Sequence, residues 1–281
     1  MKKIGFIDYV LDEWHANNYP AMIEKASNGE YKVCYAYGHV EPAADSGLIT
    51  NEEWAKEQGV ELVRSIEEVI EKSDCLVVLS PDNPEMHDEL CQLPLQSGKP
   101  TYVDKTFAPD KDTAIRIFEH ADSGNTPCWS SSALRFSEEL DEIDTASIYK
   151  VYSEGPASLE VYSIHQIEPI IRLMNARATR IMFLGDRLHP SLIIEFEDGR
   201  YAQMYHRDDE TMSFRLTVVD SANKAKHYEI KSDYFGHFIK SMLQFFETGK
   251  VPVAHEQTID VIAVRTAALK ACETPFEWIE L

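Results

Sequence analysis

Basic residues are scarce in this chain: 27 Lys and Arg stand against 48 Asp and Glu, a formal net charge of −21 over 281 residues. A field of that sign repels a phosphodiester backbone, which sets nucleic acid aside as a partner and weighs against a polyanionic substrate. Long apolar runs are missing too; none reaches the roughly 20 residues that cross a bilayer, so no membrane partner is expected. Met1-Lys2-Lys3 is a basic start, but Asp8, Asp12 and Glu13 interrupt any signal-peptide core, and cytoplasmic residence is the expectation. Cysteines number five (Cys34, Cys75, Cys91, Cys128 and Cys272), with no C-x-x-C pair. Cys34, Cys75 and Cys128 fall in or beside apolar runs and read as buried free thiols of a reducing compartment. None has a nearby His or helix start that would make it a nucleophile.

What is present describes a soluble two-domain protein. Hydrophobic residues make up 44% and charged residues 27%. The length exceeds what one small core organises. The first half alternates strand and helix signals. Strands are predicted at Lys3–Ile7, Tyr31–Ala36, Cys75–Ser80, Thr101–Val103 and Pro127–Ser131. Capping boxes at Thr50-Asn51-Glu52-Glu53 and Ser65-Ile66-Glu67-Glu68 start helices between them, and Asp110 caps another. This alternation predicts an α/β fold with a Rossmann-like, doubly wound parallel sheet. The second half reads as an α+β domain with a largely antiparallel sheet. Its strands are predicted at Ala146–Ser153, Thr179–Leu184, Ser191–Glu197, Tyr201–His206, Ser213–Asp220 and Ala225–Lys231, with Asp198-Gly199 as a hairpin turn. Two helices close it, one carrying Phe235, Phe238, Ile239, Met242 and Phe246 on one face, the other from about Thr258 to Cys272. The boundary is placed at Ser132, giving domains 1–132 and 133–281.

The most informative stretch is Gly98–Asp110, G-K-P-T-Y-V-D-K-T-F-A-P-D. It places Asp104-Lys105 where a strand ends, and ligands of open α/β sheets bind at the carboxyl ends of strands. The bland alternative is a solvated Asp-Lys surface pair. The segment resembles the G-K-x-V-x-x-E-K-P-x-A motif of the Gfo/Idh/MocA oxidoreductases, with Asp104 for the Glu, Lys105 for the Lys and Thr106 for the Pro. Ser80-Pro81 with His87 is similar to the family's P-x-x-x-H stretch. Ala133-Leu134-Arg135-Phe136 is similar to its N-x-R-F, and Phe246–Pro252 to its F-x-x-G-K-x-P. Together these cover most of the chain.

The resemblance implies an NAD- or NADP-dependent oxidoreductase acting on a secondary alcohol of a sugar, cyclitol or related small molecule, and a homo-oligomer. Ser163-Ile164-His165-Gln166-Ile167-Glu168 resembles the family's G-x-H-x-x-D, which implies that His165 is an acid/base. Histidine can take a hydroxyl proton at neutral pH, and Lys105 can donate to the same oxygen. Glu168, three residues after His165, shares its helix face. Tyr162, Glu168 and Arg135 are expected at the substrate. Asp8, Val10, Leu11, Ser80, Pro81, His87 and Asp104 are expected at the cofactor.

The cofactor loop departs from the family. A dinucleotide fold carries G-x-G-x-x-G after its first strand, for the tight turn and for approach to the pyrophosphate. Here Asp8 and Val10 take the first two glycine positions, and Trp14 follows one residue after the third. A carboxylate about 4 Å from a phosphate charge is repelled by roughly 4 kcal/mol at an intermediate dielectric. His15 matches a His seen at this point in many members. The second strand ends Tyr37-Gly38-His39, without the acid that reads a ribose. Pro20 sets two alternatives: a helix starting there with Asn18 as cap, or one starting near Leu11 and kinked at Pro20. Asp8, Asp12, Glu13, His15 and His39 fit no recognised metal-ligand spacing, so no metal is expected. Two rival readings stay open beside the oxidoreductase. One is a non-redox carbohydrate isomerase or lyase, the other a cofactor-free carbohydrate-binding or regulatory protein.

Overall fold

The computed structural model describes all residues except 187, 208 and 210. The chain divides into two compact units, Met1–Ser131 with Phe238–His255, and Ser132–His237 with Glu256–Leu281.

The first unit is built on β1 (Lys2–Asp8), α1 (Trp14–Ala26), β2 (Tyr31–Gly38), α2 (Asn51–Gln58), β3 (Glu61–Leu62), α3 (Ile66–Lys72) and β4 (Cys75–Val78). The short α4 (His87–Leu90), β5 (Thr101–Val103), α5 (Lys111–Ser123) and β6 (Cys128–Trp129) complete the alternation. Six parallel strands lie in the order β3-β2-β1-β4-β5-β6. This is the doubly wound order, whose direction of winding reverses between β1 and β4. Local chemistry sets the helix starts. Thr50 and Glu53 form the reciprocal capping box of α2, Ser65 caps α3, and Asp110 accepts the Thr113 N–H at α5. α3 lies so close on β1 that a Cβ at Gly5 would meet Val69 Cγ1 at 2.3 Å. β4 stops short of Ser80, because Ser80 itself turns into the left-handed region with φ of 98°.

The second unit contains the short α6 (Glu138–Asp141), β7 (Ile148–Pro156), α7 (Leu159–Met174), β8 (Ala178–Gly185), β9 (Pro190–Phe196), β10 (Tyr201–Arg207), β11 (Arg215–Asp220) and β12 (Ala225–Glu229). α8 (Tyr234–Thr248), α9 (His255–Ala271) and β13 (Trp278–Glu280) follow. Its sheet runs β12-β11-β7-β10-β9-β8-β13, antiparallel except where β10 pairs parallel to β7. Alternate residues of the central strands, such as Leu192, Ile194 and Phe196 or Ala202 and Met204, are buried. α7, whose buried apolar residues include Ile164, Ile167, Ile170 and Ile171, packs on β7 and β10.

α8 differs from the sequence expectation. Its aromatic stripe suggests a helix on the second sheet, yet from Phe238 onward it belongs to the first unit. The Phe238 ring sits 5.9 Å from Tyr19, 5.3 Å from Tyr102 and 5.8 Å from Trp129, and Phe246 stacks on Tyr31 at 6.4 Å. Burying the Phe238 and Phe246 rings supplies several kcal/mol, at roughly 25 cal/mol per Å² of apolar area.

Candidate active site

The carboxyl edge of the first sheet gathers four titratable groups: Asp8 at the end of β1, Glu13 and His15 at the start of α1, and Asp104 just past β5. Asp8 is 1% exposed. Its Oδ1 accepts the Tyr9 N–H at 2.7 Å, and its Oδ2 has no hydrogen-bond partner among the described residues. Burial, then the charge of Glu13, pushes the Asp8 pKa well up and favours the protonated acid.

Glu13 is the N-cap of α1, with extended backbone at φ −140° and ψ 169°. One carboxylate oxygen accepts the His15 N–H at 2.8 Å and the other the Ala16 N–H at 2.7 Å. The helix therefore starts at neither of the two places the sequence suggests. It begins at Trp14, and Pro20 lies inside it. Asp12 is engaged as well, accepting from Asn17 Nδ2 at 2.8 Å and the Ile49 N–H at 3.0 Å.

His15 reaches 89 residues along the chain, Nδ1 to Asp104 Oδ2, and its ring stacks on Tyr19 at 4.9 Å. Asp104 is fully buried and also accepts from the Tyr102 hydroxyl at 3.0 Å and the Lys105 N–H at 2.8 Å. Burial alone would raise its pKa. His15 chiefly, then Lys105 and Tyr102, outweigh that and hold the carboxyl below its usual range. The Asp104-Lys105 surface pair is thus not what forms. Asp104 turns inward to His15, and the half-buried Lys105 ammonium has no hydrogen bond or ion pair among the described residues.

The remaining residues expected at a cofactor lie at the same sheet edge. Leu11 is buried and its N–H donates to Asn51 Oδ1 at 3.3 Å, while Val10 is partly exposed. Ser80 Oγ donates to the Asn83 carbonyl at 3.0 Å, and Pro81 is buried beside it. His87 is fully buried, with the carbonyls of Leu79 (2.7 Å from Nε2) and Phe107 (3.0 Å from Nδ1) beside its ring; burial lowers its pKa, and the neutral ring donates to one of them, linking the segments that follow β4 and β5. Among the described residues, no three His, Cys, Asp or Glu side chains converge as a metal ion needs.

In the second unit, Ser132 joins the groups that α7 presents. Its Oγ lies 2.6 Å from His165 Nδ1, and its N–H donates to Glu168 Oε1 at 3.1 Å. The three-residue spacing puts both α7 side chains on one face, within reach of one serine. Glu168 Oε2 accepts from Arg135 Nη1 at 3.0 Å, and Arg135 also donates to Gln257. Arg135 and Glu168, both expected at the substrate, are 7% and 2% exposed and form a buried ion pair. The pair locks the turn at Ala133–Phe136 onto α7 and so holds Ser132 against His165. His165 remains partly exposed, with Tyr162 edge-on at 5.2 Å and Phe214 at 6.0 Å. Tyr162 is exposed. His206, at the end of β10, is fully buried; its ring nitrogens have no hydrogen-bond partner among the described residues, and burial brings its pKa down to about 4. Ser132 is the participant that sequence reasoning misses, since a lone serine before a turn carries no distinguishing signal.

Neither a protein-family model nor a curated protein sequence matches this chain. Solved structures do. A probable dehydrogenase from Thermotoga maritima superposes with a TM-score of 0.78 at 14% identity, over 99% of this chain and 98% of that one. Myo-inositol dehydrogenase from Lactobacillus casei, solved with NAD(H) and myo-inositol, gives 0.79 at 12% identity, over 100% and 96%. Apo scyllo-inositol dehydrogenase from Lactobacillus casei gives 0.77 at 15% identity, over 99% and 98%. With a parallel unit in the doubly wound order and a mostly antiparallel second sheet, this chain has the fold of the Gfo/Idh/MocA-type dehydrogenases.

Proposed function

We propose that this chain is an enzyme acting on a secondary alcohol of a sugar, cyclitol or related small molecule, as an oxidoreductase, with Lys105 and His165 as its catalytic groups. The observation that carries this reading is the state of Lys105. It stands half-buried at the carboxyl edge of β5, its ammonium without a hydrogen bond or ion pair among the described residues, while the Asp104 side chain is bound to His15. An ammonium kept free in this way is available to a substrate oxygen. His165, oriented through Nδ1 by Ser132, is suited to taking up and returning the hydroxyl proton. Removing that proton pushes electron density onto the carbon that is to lose hydride. In reverse, Lys105 polarises the carbonyl and His165 returns the proton. Exposed Tyr162, beside His165, is a further contact for a polyhydroxylated ligand. The acceptor proposed for the hydride is NAD or NADP.

A non-redox isomerisation or elimination through the same two groups is the second reading. It is favoured by Glu13, whose carboxylate holds the first amides of α1. One screen separates the two. A panel of sugars and cyclitols is incubated in D₂O with the protein, with and without NAD or NADP, and followed by nicotinamide absorbance and by proton NMR. The first reading expects reduced nicotinamide to appear with a keto product. Loss or rearrangement of substrate signals without added dinucleotide would transfer the assignment to the second. No change in either channel across the panel would count against both. We further propose a homo-oligomer, which requires a solution mass well above 32.1 kDa by light scattering.

A further inference from the structure

We propose that the Glu13 carboxylate is an internal substitute for a ligand phosphate, filling the anion seat at the N-terminus of α1 and barring a dinucleotide pyrophosphate from it. An N-terminus like that of α1, which runs for 13 residues, gathers free N–H groups and a partial positive charge, and on a doubly wound sheet this is where a pyrophosphate sits. Here the seat is taken. The N–H groups of His15 and Ala16 both donate to Glu13, one to each carboxylate oxygen, at 2.8 and 2.7 Å. That two-point grip on adjacent amides is the geometry with which a phosphate would use them.

The rest of the loop is engaged in the same manner. The Tyr9 N–H donates to Asp8 Oδ1 and the Leu11 N–H to Asn51 Oδ1. Asn51 packs so closely on the end of β2 that a Cβ at Gly38 would meet its amide group at 2.5 Å. An incoming phosphate would therefore have to displace these partners, and would meet the buried Asp8, whose Oδ2 has no hydrogen-bond partner among the described residues. Glu13 stands at the third glycine position of the G-x-G-x-x-G pattern. The same residue removes the glycine and supplies an anion where the ligand's charge would lie. The residues present do not fit a dinucleotide held by its pyrophosphate in the usual way. A nicotinamide dinucleotide that serves this chain must bind without that grip, and so weakly.

This inference does not depend on which reaction is catalysed, and its test reads binding alone. Inorganic pyrophosphate is titrated into ¹⁵N-labelled protein, wild type and Glu13→Gly, and the His15 and Ala16 amide resonances are followed. Glycine is tolerated at an N-cap at a cost of only a few tenths of a kcal/mol against the usual capping residues, so α1 should persist. Wild-type amides should hold their positions at millimolar pyrophosphate. In Glu13→Gly both should shift and saturate, with at least about tenfold tighter binding. Glu13→Gln, which keeps one acceptor oxygen, is the second variant in case the glycine protein melts. Its freed amide should respond in the same direction. Saturable shifts in the wild type as strong as in the variants, or no response in any folded variant, would overturn the proposal.

Discussion

Replacing Glu168 by glutamine removes one charge from the buried Arg135–Glu168 pair and leaves the side chain's shape intact. The two groups are 3.0 Å apart and almost wholly enclosed. At an effective dielectric near 20, their attraction is about 5 kcal/mol. The Ser132 N–H and Gln257 contacts survive the change, so the loss is chiefly that of leaving a guanidinium buried without a counter-charge. Removing one partner of a buried pair costs about 3–5 kcal/mol, and we expect the lower half of that range. Urea unfolding at pH 7, followed by circular dichroism, should show a midpoint shift of that size without a change in slope. Arg135→Met combined with Glu168→Leu should recover most of the loss, since an apolar pair of similar volume avoids the desolvation penalty. A loss below about 1 kcal/mol for Glu168→Gln, with weakened substrate binding instead, would refute the structural role and return both residues to the substrate.

Three further predictions concern titration and packing. Asp8→Asn should raise the melting temperature at pH 7 but not at pH 4. The raised Asp8 pKa means that the folded state binds the proton more tightly, so ionisation erodes stability as pH rises above the ordinary carboxylate range, and the amide escapes this. His206 has the opposite sign. With its folded pKa near 4 against an ordinary 6.5, the unfolded chain takes up the proton first, and up to about 3 kcal/mol is lost as pH falls between those values. His206→Leu should flatten that limb of a pH–stability curve, and an unchanged curve would rule the assignment out. Phe238→Ala should cost about 3–5 kcal/mol in unfolding free energy, because the ring is fully buried among Tyr19, Tyr102 and Trp129.

Much of this architecture is legible in the residues themselves. The alternation of apolar runs with Thr50, Ser65 and Asp110 caps fixes α2, α3 and α5, and Asp198-Gly199 fixes the turn between β9 and β10. Local signals stop where partners are distant. The stripe on α8 tells that a face is buried, but not that Tyr19, Tyr102 and Trp129 are what bury it. The two-residue β3 and the terminal β13 are too short for any periodicity to mark. Among the candidate residues, Lys105 and His165 stand out through motif order. Glu13 does not, because glutamate is not among the side chains that ordinarily cap a helix, and its role needs the fold of the loop around it. His15 and Asp104, and Ser132 and His165, meet only once the sheet and α7 are assembled.

The most direct test of the proposed function is turnover by Lys105→Met and His165→Ala on whichever sugar or cyclitol the screen identifies, with unfolding measured in parallel. Each variant should lose a factor of about 10² or more, as removal of an electrostatic or acid/base partner does, while stability hardly changes, since both side chains are partly exposed. Near-wild-type turnover in both would place the chemistry elsewhere and contradict the assignment.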